Sequence, residues 1–204
     1  MGDSTKYKAP KTNSMAAITT YVAISVIIFI YGLLEIDQQI VSKVGLLIFG
    51  LLVFTLVEYL FHRFVYHSGK DYLEEGNWQY KVHGVHHEHP TDKDLLAMPI
   101  PLAIMLSTIF FGIFWLIMGI NTFFFWPGFF IGYAGYLYVH YIVHTRKPPN
   151  NAFNILWSHH HLHHYVYDNK AYGVSSPLWD IIFGTMPPKN EPLPRQKRRR
   201  PSKN

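Results

Sequence analysis

The chain has 204 residues, of which 49% are hydrophobic, 17% aromatic and 15% charged, with a formal net charge of +5. So low a charged fraction indicates that much of the surface faces something other than water, which predicts a membrane protein. The absence of cysteine excludes disulfides, thiolate zinc sites, cysteine-ligated iron–sulfur clusters and a thiolate-bound haem. Metal chemistry in this chain must therefore use histidine or carboxylate ligands.

Four apolar segments predict an all-α protein with four transmembrane spans. At a rise of ~1.5 Å per residue, about twenty apolar residues cross a hydrocarbon core of ~30 Å. The second segment is interrupted only by Glu58, and a short turn at residues 119–121 separates the third from the fourth. The predicted spans are residues 16–34, 44–61, 95–120 and 122–143. They lie in a membrane domain over residues 16–186, between an N-terminal tail (1–15) and a basic, disordered tail (187–204).

All thirteen histidines lie between His62 and His164, and ten of them form four spaced clusters. Counting the crossings puts all four clusters on the same side of the membrane, so they can meet. Imidazole suits iron, zinc, copper and nickel, and ten nitrogens exceed what one ion can use. We therefore predict a domain with two metal ions. The candidate ligands are His62, His67, His83, His86, His87, His140, His144, His160, His163 and His164.

The spacings within the clusters suggest how the ligands are shared. Each H-x-x-H-H triplet is expected to converge on one point, because residues three and four apart share a helix face. His62 and His67 point about 140° apart at 3.6 residues per turn, so we expect them to split between the two metals. Five nitrogens per ion would leave an open position for dioxygen on each metal. His89, His159 and His161 fall outside the pattern and are expected to support the ligands or to lie on the surface.

Three carboxylates are candidates for orienting the ligands. Glu58 stands one helical turn before His62 inside an apolar span, where an ionised carboxylate needs a partner. We expect it to hydrogen-bond a ligand histidine and so fix the orientation of that ring, with Arg63 or a water as the alternative partner. Asp92 and Asp180 lie on the same side of the membrane and could serve in the same way, or act as ordinary loop and capping residues.

The distribution of lysine and arginine predicts the orientation in the membrane. Short loops rich in these residues stay in the cytoplasm. The side opposite the histidines carries only Lys43, beside two acidic residues. We therefore expect both termini and the metal site to be cytoplasmic. The cations on the histidine side include Lys6, Lys8, Lys11, Arg63, Lys70, Lys81, Lys93, Arg195, Lys197, Arg198, Arg199, Arg200 and Lys203.

Absent motifs narrow the chemistry further. The chain has no Glu-x-x-His pair, so a carboxylate-bridged ferritin-like site is not encoded. It also lacks the glycine-rich loops that hold nicotinamide or nucleotide cofactors, so electrons are expected from a separate protein. The membrane spans argue against a nuclear role for the basic tail, and no nucleic-acid partner is expected.

These motifs together resemble the fatty acid hydroxylase/sterol desaturase superfamily. The resemblance covers roughly residues 44–186 and is strongest to the fatty acid 2-hydroxylases that act on ceramide-type lipids. It rests on H-R-F-V-Y-H, H-G-V-H-H-E-H-P-T-D, H-Y-I-V-H-T, H-x-x-H-H-Y and the later G-V-S-S-P-L-W-D, in that order.

The resemblance implies a membrane oxygenase with two iron ions held by the ten candidate histidines, with zinc able to occupy the site in purified protein. It implies oxygen insertion into a lipid C–H bond, next to the acyl carbonyl in the 2-hydroxylases. Electrons then come from a cytochrome b-type carrier, which some members carry as a fused N-terminal domain. Only about fifteen residues precede the first span here, so a separate donor, a cytochrome b-type protein or a ferredoxin, is expected.

Several alternatives stay open from the sequence. A lipid desaturase or a sterol or carotenoid hydroxylase would use the same scaffold. A metal transporter or a haem-bearing electron carrier is the alternative from another class, but its ligands should lie near the membrane midplane or across two spans. The bacterial inner membrane is favoured over the endoplasmic reticulum, because the chain is short and lacks a fused donor.

Overall fold

The structure, a computed structural model, describes residues 9–69, 73–74 and 76–188, and within them it contains helices and turns but no β-strand. The predicted all-α class is confirmed. The N-terminal Lys6 and Lys8, as well as Lys70 and the basic tail from residue 189 onward, lie outside the described residues. The α-helices are α1 (Ser14–Glu35), α2 (Ile40–Phe61), α3 (Val85–Glu88), α4 (Ile100–Met118), α5 (Thr122–Thr145), α6 (Asn154–Tyr165) and α7 (Leu178–Ile182).

Local sequence explains where the long helices begin. The side chain of Asn13 accepts a hydrogen bond from the backbone N–H of Ala16 at 3.0 Å and so caps α1. α4 begins at Ile100, five residues later than predicted. Pro99 disfavours a helical conformation in the residue before it, whereas Pro101 fits the first turn, where no backbone donor is needed.

Within the described residues, three segments of helix are long and apolar enough to cross a membrane. They are Ser14–Glu35, Ile40–Tyr66 and Lys93–Thr145. The third is 53 residues long and contains both α4 and α5, with the 3₁₀ turn Gly119–Asn121 between them. A segment of that length is long enough for two passes of the ~20 residues that one crossing needs.

Ring contacts give the directions of the helices around α5. On α4 and α5 the contacts Phe114–Phe125 (4.7 Å) and Phe110–Phe129 (5.4 Å) run in opposite order, so these helices form the expected antiparallel hairpin. On α2 and α5 the contacts Phe49–Phe125 (5.5 Å) and Phe54–Phe129 (5.3 Å) run in the same order, so these two helices are parallel. The carboxyl ends of α2 and α5, which carry histidines, therefore meet at one end of the bundle.

Two glycines allow α2 and α5 to cross closely. A Cβ atom at Gly128 would lie 1.9 Å from the carbonyl oxygen of Leu47, and one at Gly50 would lie 2.0 Å from that of Phe125. Small residues at such contacts let helix backbones approach each other in membranes, where burial of apolar surface gives little driving force. The crossing fixes how the two histidine-bearing helix ends are placed.

Candidate metal centre

A π-helical turn, His62–Tyr66, continues α2 at the end of its membrane segment. Its wider winding is closed by a hydrogen bond from the N–H of His67 to the carbonyl of His62, at 3.3 Å. Because this bond joins residues five apart, it brings His62 and His67 to the same side. The predicted split of this pair between two metals is therefore wrong, since the prediction assumed 3.6 residues per turn.

All ten candidate histidines come together in two groups of five, and within each group the ring nitrogens lie within 4.8 Å of one another. The groups adjoin, since the rings of His87 and His164 stack with centroids 4.2 Å apart. The first histidine group is His62, His67, His83, His87 and His163, and the second histidine group is His86, His140, His144, His160 and His164.

Each H-x-x-H-H triplet is divided between the two groups. Its outer members, four residues apart, share one group, whereas the middle member belongs to the other. Thus His83 and His87 belong to the first group and His86 to the second. Likewise, His160 and His164 belong to the second group and His163 to the first. The expectation that each triplet converges on one point is wrong, because only its outer members share a helix face, and the middle member, three residues from one and one residue from the other, faces the neighbouring centre. Each triplet instead links the two groups.

The nitrogen distances fit ligands arranged around an ion. The Nε2 atom of His83 lies 3.1, 3.2 and 2.9 Å from those of His62, His67 and His87. One imidazole nitrogen cannot satisfy three such neighbours by hydrogen bonding, since a neutral ring has a single N–H donor. Adjacent nitrogen ligands at about 2.1 Å from one ion are about 3.0 Å apart. The donors present therefore suit metal binding.

The second group repeats this arrangement. The Nε2 atom of His86 lies 2.8, 3.1 and 3.2 Å from those of His140, His144 and His164. His160 completes the group, with its Nε2 atom 2.8 Å from that of His144 and 3.0 Å from that of His164. Both groups therefore offer convergent imidazole nitrogens.

Burial keeps these rings neutral. It lowers the pKa of His67 to about 3, with a smaller contribution from the charge of His163. It also lowers the pKa of His163 to about 4, against a hydrogen bond to the carbonyl of Lys170 that raises it. Burial holds the pKa of five further histidine rings well below the ordinary value, and neutral rings leave a nitrogen lone pair for a metal. These are His83, His86, His87, His160 and His164.

Backbone carbonyls fix the orientation of three rings. The Nδ1–H groups of His62, His140 and His163 donate to the carbonyls of Tyr172, Leu96 and Lys170, at 2.5, 3.2 and 2.8 Å respectively. A histidine that donates from Nδ1 presents the lone pair of Nε2, so each of these rings is set to bind through Nε2.

Two buried carboxylates hold the segment that supplies two of those carbonyls, residues 170–176, called the 170–176 loop below. Asp180 accepts hydrogen bonds from the N–H groups of Tyr172 and Gly173 at 2.9 and 2.7 Å. Glu58 accepts from the N–H groups of Val174 and Ser175 at 2.7 and 2.9 Å, and from the hydroxyl of Ser175. The sequence did not predict this role of the loop, although Gly-Val-Ser-Ser followed by Pro177 is typical of a tight turn.

The three candidate carboxylates have different partners. Glu58 is buried, but its hydrogen bonds go to the 170–176 loop and not to a histidine ring. Asp92 is exposed and accepts from the N–H of Asp94, so it caps a local turn away from the histidines. Asp180 contacts His159 at 2.9 Å. Burial raises the pKa of Asp180, but hydrogen bonds from His159 and Thr185 outweigh it and bring this pKa below the ordinary value.

The remaining histidines lie outside both groups, as predicted. His159 is buried against Asp180, His161 is half-buried and His89 is exposed. In the H-H-H run the second histidine, His160, is the one that belongs to a group.

An apolar cavity opens between α2, α4 and α5 and reaches the first histidine group at His62. A second cavity faces His83, His86 and His140, and the two share Tyr66, Met98, Tyr133 and Tyr136. The first cavity is lined by Phe54, Val57, Glu58, Phe61, His62, Tyr66, Met98, Ala103, Leu106, Ser107, Phe110, Phe129, Phe130, Tyr133 and Tyr136.

Two of the shared tyrosines contact the histidine groups directly. The ring of Tyr66 stacks on His83 with centroids 5.0 Å apart, and that of Tyr136 stacks on His140 at 5.6 Å. A molecule passing from one cavity to the other would therefore lie against both histidine groups.

The chain is similar to known proteins over most of its length. The family model "Fatty acid hydroxylase" matches residues 47–185. Dihydroceramide fatty acyl 2-hydroxylase FAH2 of Arabidopsis thaliana is 33% identical over 71% of this chain and 62% of its own length. Ceramide very long chain fatty acid hydroxylase scs7 of Schizosaccharomyces pombe is 35% identical over 78% of this chain and 47% of its own length. The chain thus spans less than two thirds of these relatives.

A solved structure has the same fold. It is described as full-length scs7p with only the hydroxylase domain visible, and it superposes with a TM-score of 0.79 at 29% sequence identity. The match covers 91% of this chain and 71% of that one.

Proposed function

Because this chain belongs to the fatty acid hydroxylase family, we propose that it hydroxylates a fatty acyl chain, free or within a sphingolipid or ceramide, at the 2-position. The observation that carries the proposal is that two convergent histidine groups lie at one end of an apolar cavity between membrane helices. The reaction consumes dioxygen, two electrons and two protons. One oxygen atom enters a C–H bond as a hydroxyl group, and the other leaves as water.

We propose that each histidine group holds one iron ion through its five Nε2 atoms, with zinc able to occupy the site in purified protein. Iron would supply the activation of dioxygen. The chain's own part is to present neutral, oriented nitrogens. Burial keeps the rings unprotonated, and the carbonyls of Tyr172, Leu96 and Lys170 hold three of them in place.

The shape of the cavities supports reaction near the lipid head. A lipid tail would occupy the apolar cavity, whose wall carries only one ionisable carboxylate, Glu58, and this group is already engaged by the 170–176 loop. The polar head would lie in the second cavity, which is bordered by Lys81. The carbon next to the acyl carbonyl then lies near the shared tyrosines, beside both histidine groups. The names of the dihydroceramide and ceramide hydroxylases support the same substrate class.

We further propose four membrane spans with the metal site on the cytoplasmic side. The charge bias supports this orientation more strongly than the sequence alone indicates. Lys43, the one cation assigned to the opposite side, is buried, and its ammonium group donates to the carbonyls of Leu33 and Ile36 at 3.3 and 2.6 Å. It therefore caps α1 and is not a free loop charge. The reported relatives are eukaryotic, so they do not favour the bacterial inner membrane.

Electrons are proposed to come from a separate cytochrome b-type protein or ferredoxin. The cations at the histidine end of the bundle support a partner with an acidic surface. Among the described residues this end carries Lys11, Arg63, Lys81, Lys93, Arg146, Lys147 and Lys170.

The test is lipid mass spectrometry of cells that express the chain or its His87→Ala variant, after hydrolysis to free fatty acids. We expect fatty acids with one added oxygen next to the carboxyl carbon, which disappear in the variant. An oxygen located deep in the chain would contradict the assigned position. Loss of two hydrogens would instead identify a desaturase on the same scaffold.

A further inference from the structure

The end of the apolar cavity away from the histidines is lined by aromatic rings. Phe54 lies eight residues before His62 along α2, which at 1.5 Å per residue places it about 12 Å from the histidine end. At this depth the ring of Phe129 lies 5.3 Å from that of Phe54 and 5.4 Å from that of Phe110. Rings from all three helices thus meet across the cavity.

Further rings fill the space beyond. Phe114 contacts Phe129 at 5.2 Å and Phe125 at 4.7 Å. Phe54, Phe125 and Phe129 are 6%, 2% and 4% exposed, so no route continues through them along the helix axes. We call the set Phe54, Phe110, Phe114, Phe125 and Phe129 the aromatic plug.

The plug is shallow compared with a membrane leaflet. Half of a ~30 Å hydrocarbon core is about 15 Å, so a cavity of about 12 Å is shorter than one leaflet. A long acyl chain with its head at the histidines would meet the plug before its end was accommodated. Close-packed aromatic rings cannot yield to extra methylene groups without strain.

We propose that the aromatic plug sets an upper limit on the acyl chain that this protein accepts, with Phe110 and Phe129 as the residues that determine it. The inference rests on the proposed function for the identity of the ligand, an acyl chain. The proposal assigns chain-length selection to the end of the cavity that lies away from the histidines.

The test measures which fatty acids the full-length, metal-loaded protein retains from a detergent solution of saturated chains graded from medium to very long. A detergent interior is as apolar as the cavity, so methylene groups that fit gain little, whereas those that meet the plug are rejected. We expect retention by the unmodified protein to fall by about tenfold beyond a cut-off length.

Two variants should move the cut-off in opposite directions. Phe110→Ala removes a half-buried ring of the plug and should shift the cut-off to longer chains. Ser107→Leu fills the cavity about one turn away on the same helix face and should shift it to shorter chains. Phe29→Ala is the matched control, since Phe29 is also a half-buried membrane phenylalanine but lies away from the cavity, against Phe124.

The proposal would be overturned if the unmodified protein, Phe110→Ala and Ser107→Leu all had the same cut-off length. It would also be overturned if retention showed no cut-off, or if no fatty acid were retained. If Phe110→Ala is not recovered folded, Ser107→Leu alone decides, because it fills space without emptying the core. The protein could retain fatty acids with the expected shifts while cells that express it make no hydroxylated lipid. That result would contradict the proposed function and still support the role of the plug.

Discussion

The Nδ1 nitrogen of His62 lies 2.5 Å from the carbonyl oxygen of Tyr172, a residue 110 positions further along the chain. The orientation of this ring in the first histidine group therefore depends on the 170–176 loop. That loop is in turn held by Glu58, from the same helix as His62, and by Asp180. The two carboxylates thus act on the histidine rings through the backbone of this loop.

Replacement of Glu58 should show that hydrogen bonding holds the loop. Glu58→Leu leaves the N–H groups of Val174 and Ser175 without their acceptor, at a cost of about 1–3 kcal/mol for each in the free energy of unfolding. We expect it to bind less metal in the first histidine group. Glu58→Gln keeps an oxygen for both N–H groups and should bind nearly as much metal as the unmodified protein. Equal losses in both variants, by elemental analysis, would show that the charge matters instead.

The three consecutive histidines offer a matched series. His160→Ala removes a member of the second histidine group and should release the metal of that group. His159→Ala breaks the buried contact with Asp180 and should lower the free energy of unfolding by about 3 kcal/mol, with both metals retained. His161→Ala, at a half-buried position, should change neither quantity strongly. Metal loss in His161→Ala but not in His160→Ala would contradict the assigned grouping.

The crossing of α2 and α5 should tolerate no side chain at Gly128. Gly128→Ala places a Cβ against the backbone of Leu47 and should cost about 3 kcal/mol of stability. Gly135→Ala, on the same helix with open space around it, should be neutral or stabilise by up to about 1 kcal/mol. Thermal unfolding in detergent compares the two variants. The assigned packing fails if both have the same midpoint as the unmodified protein.

Metal removal should destabilise the whole bundle. Each histidine group joins segments distant in sequence, so a bound ion cross-links them. A ligand present at a hundred times its dissociation constant stabilises the folded state by about 2.7 kcal/mol per site. We expect a chelator to lower the unfolding temperature and added Fe²⁺ to restore it. An unfolding temperature that does not respond to either treatment would show that the groups bind no metal.

The helical class, the hairpin of α4 and α5 and the ten clustered histidines could be predicted because they depend on composition and spacing. The division into two groups could not. It depends on the π-helical turn at His62–Tyr66, whose i to i+5 hydrogen bond changes which residues share a face. Nothing in H-R-F-V-Y-H marks such a turn, although a histidine pair five apart at a functional site is compatible with one.

The partners of the carboxylates were equally hidden. Glu58 was correctly expected to need a hydrogen-bonding partner, but that partner lies 116 residues away in the 170–176 loop. Asp180 and Asp92 look alike as loop carboxylates in the sequence, yet one is fully buried and the other exposed. Such contacts are set by tertiary packing, which no local pattern of residues encodes.

The most direct test of the paired metal sites is the iron content of the full-length protein and of two single variants, His83→Ala and His86→Ala. The two substituted residues are three positions apart in the sequence. We predict two ions per chain in the unmodified protein and about one in each variant, because these neighbouring histidines belong to different groups. One ion or none in the unmodified protein, or two in either variant, would contradict the assignment of paired metal sites.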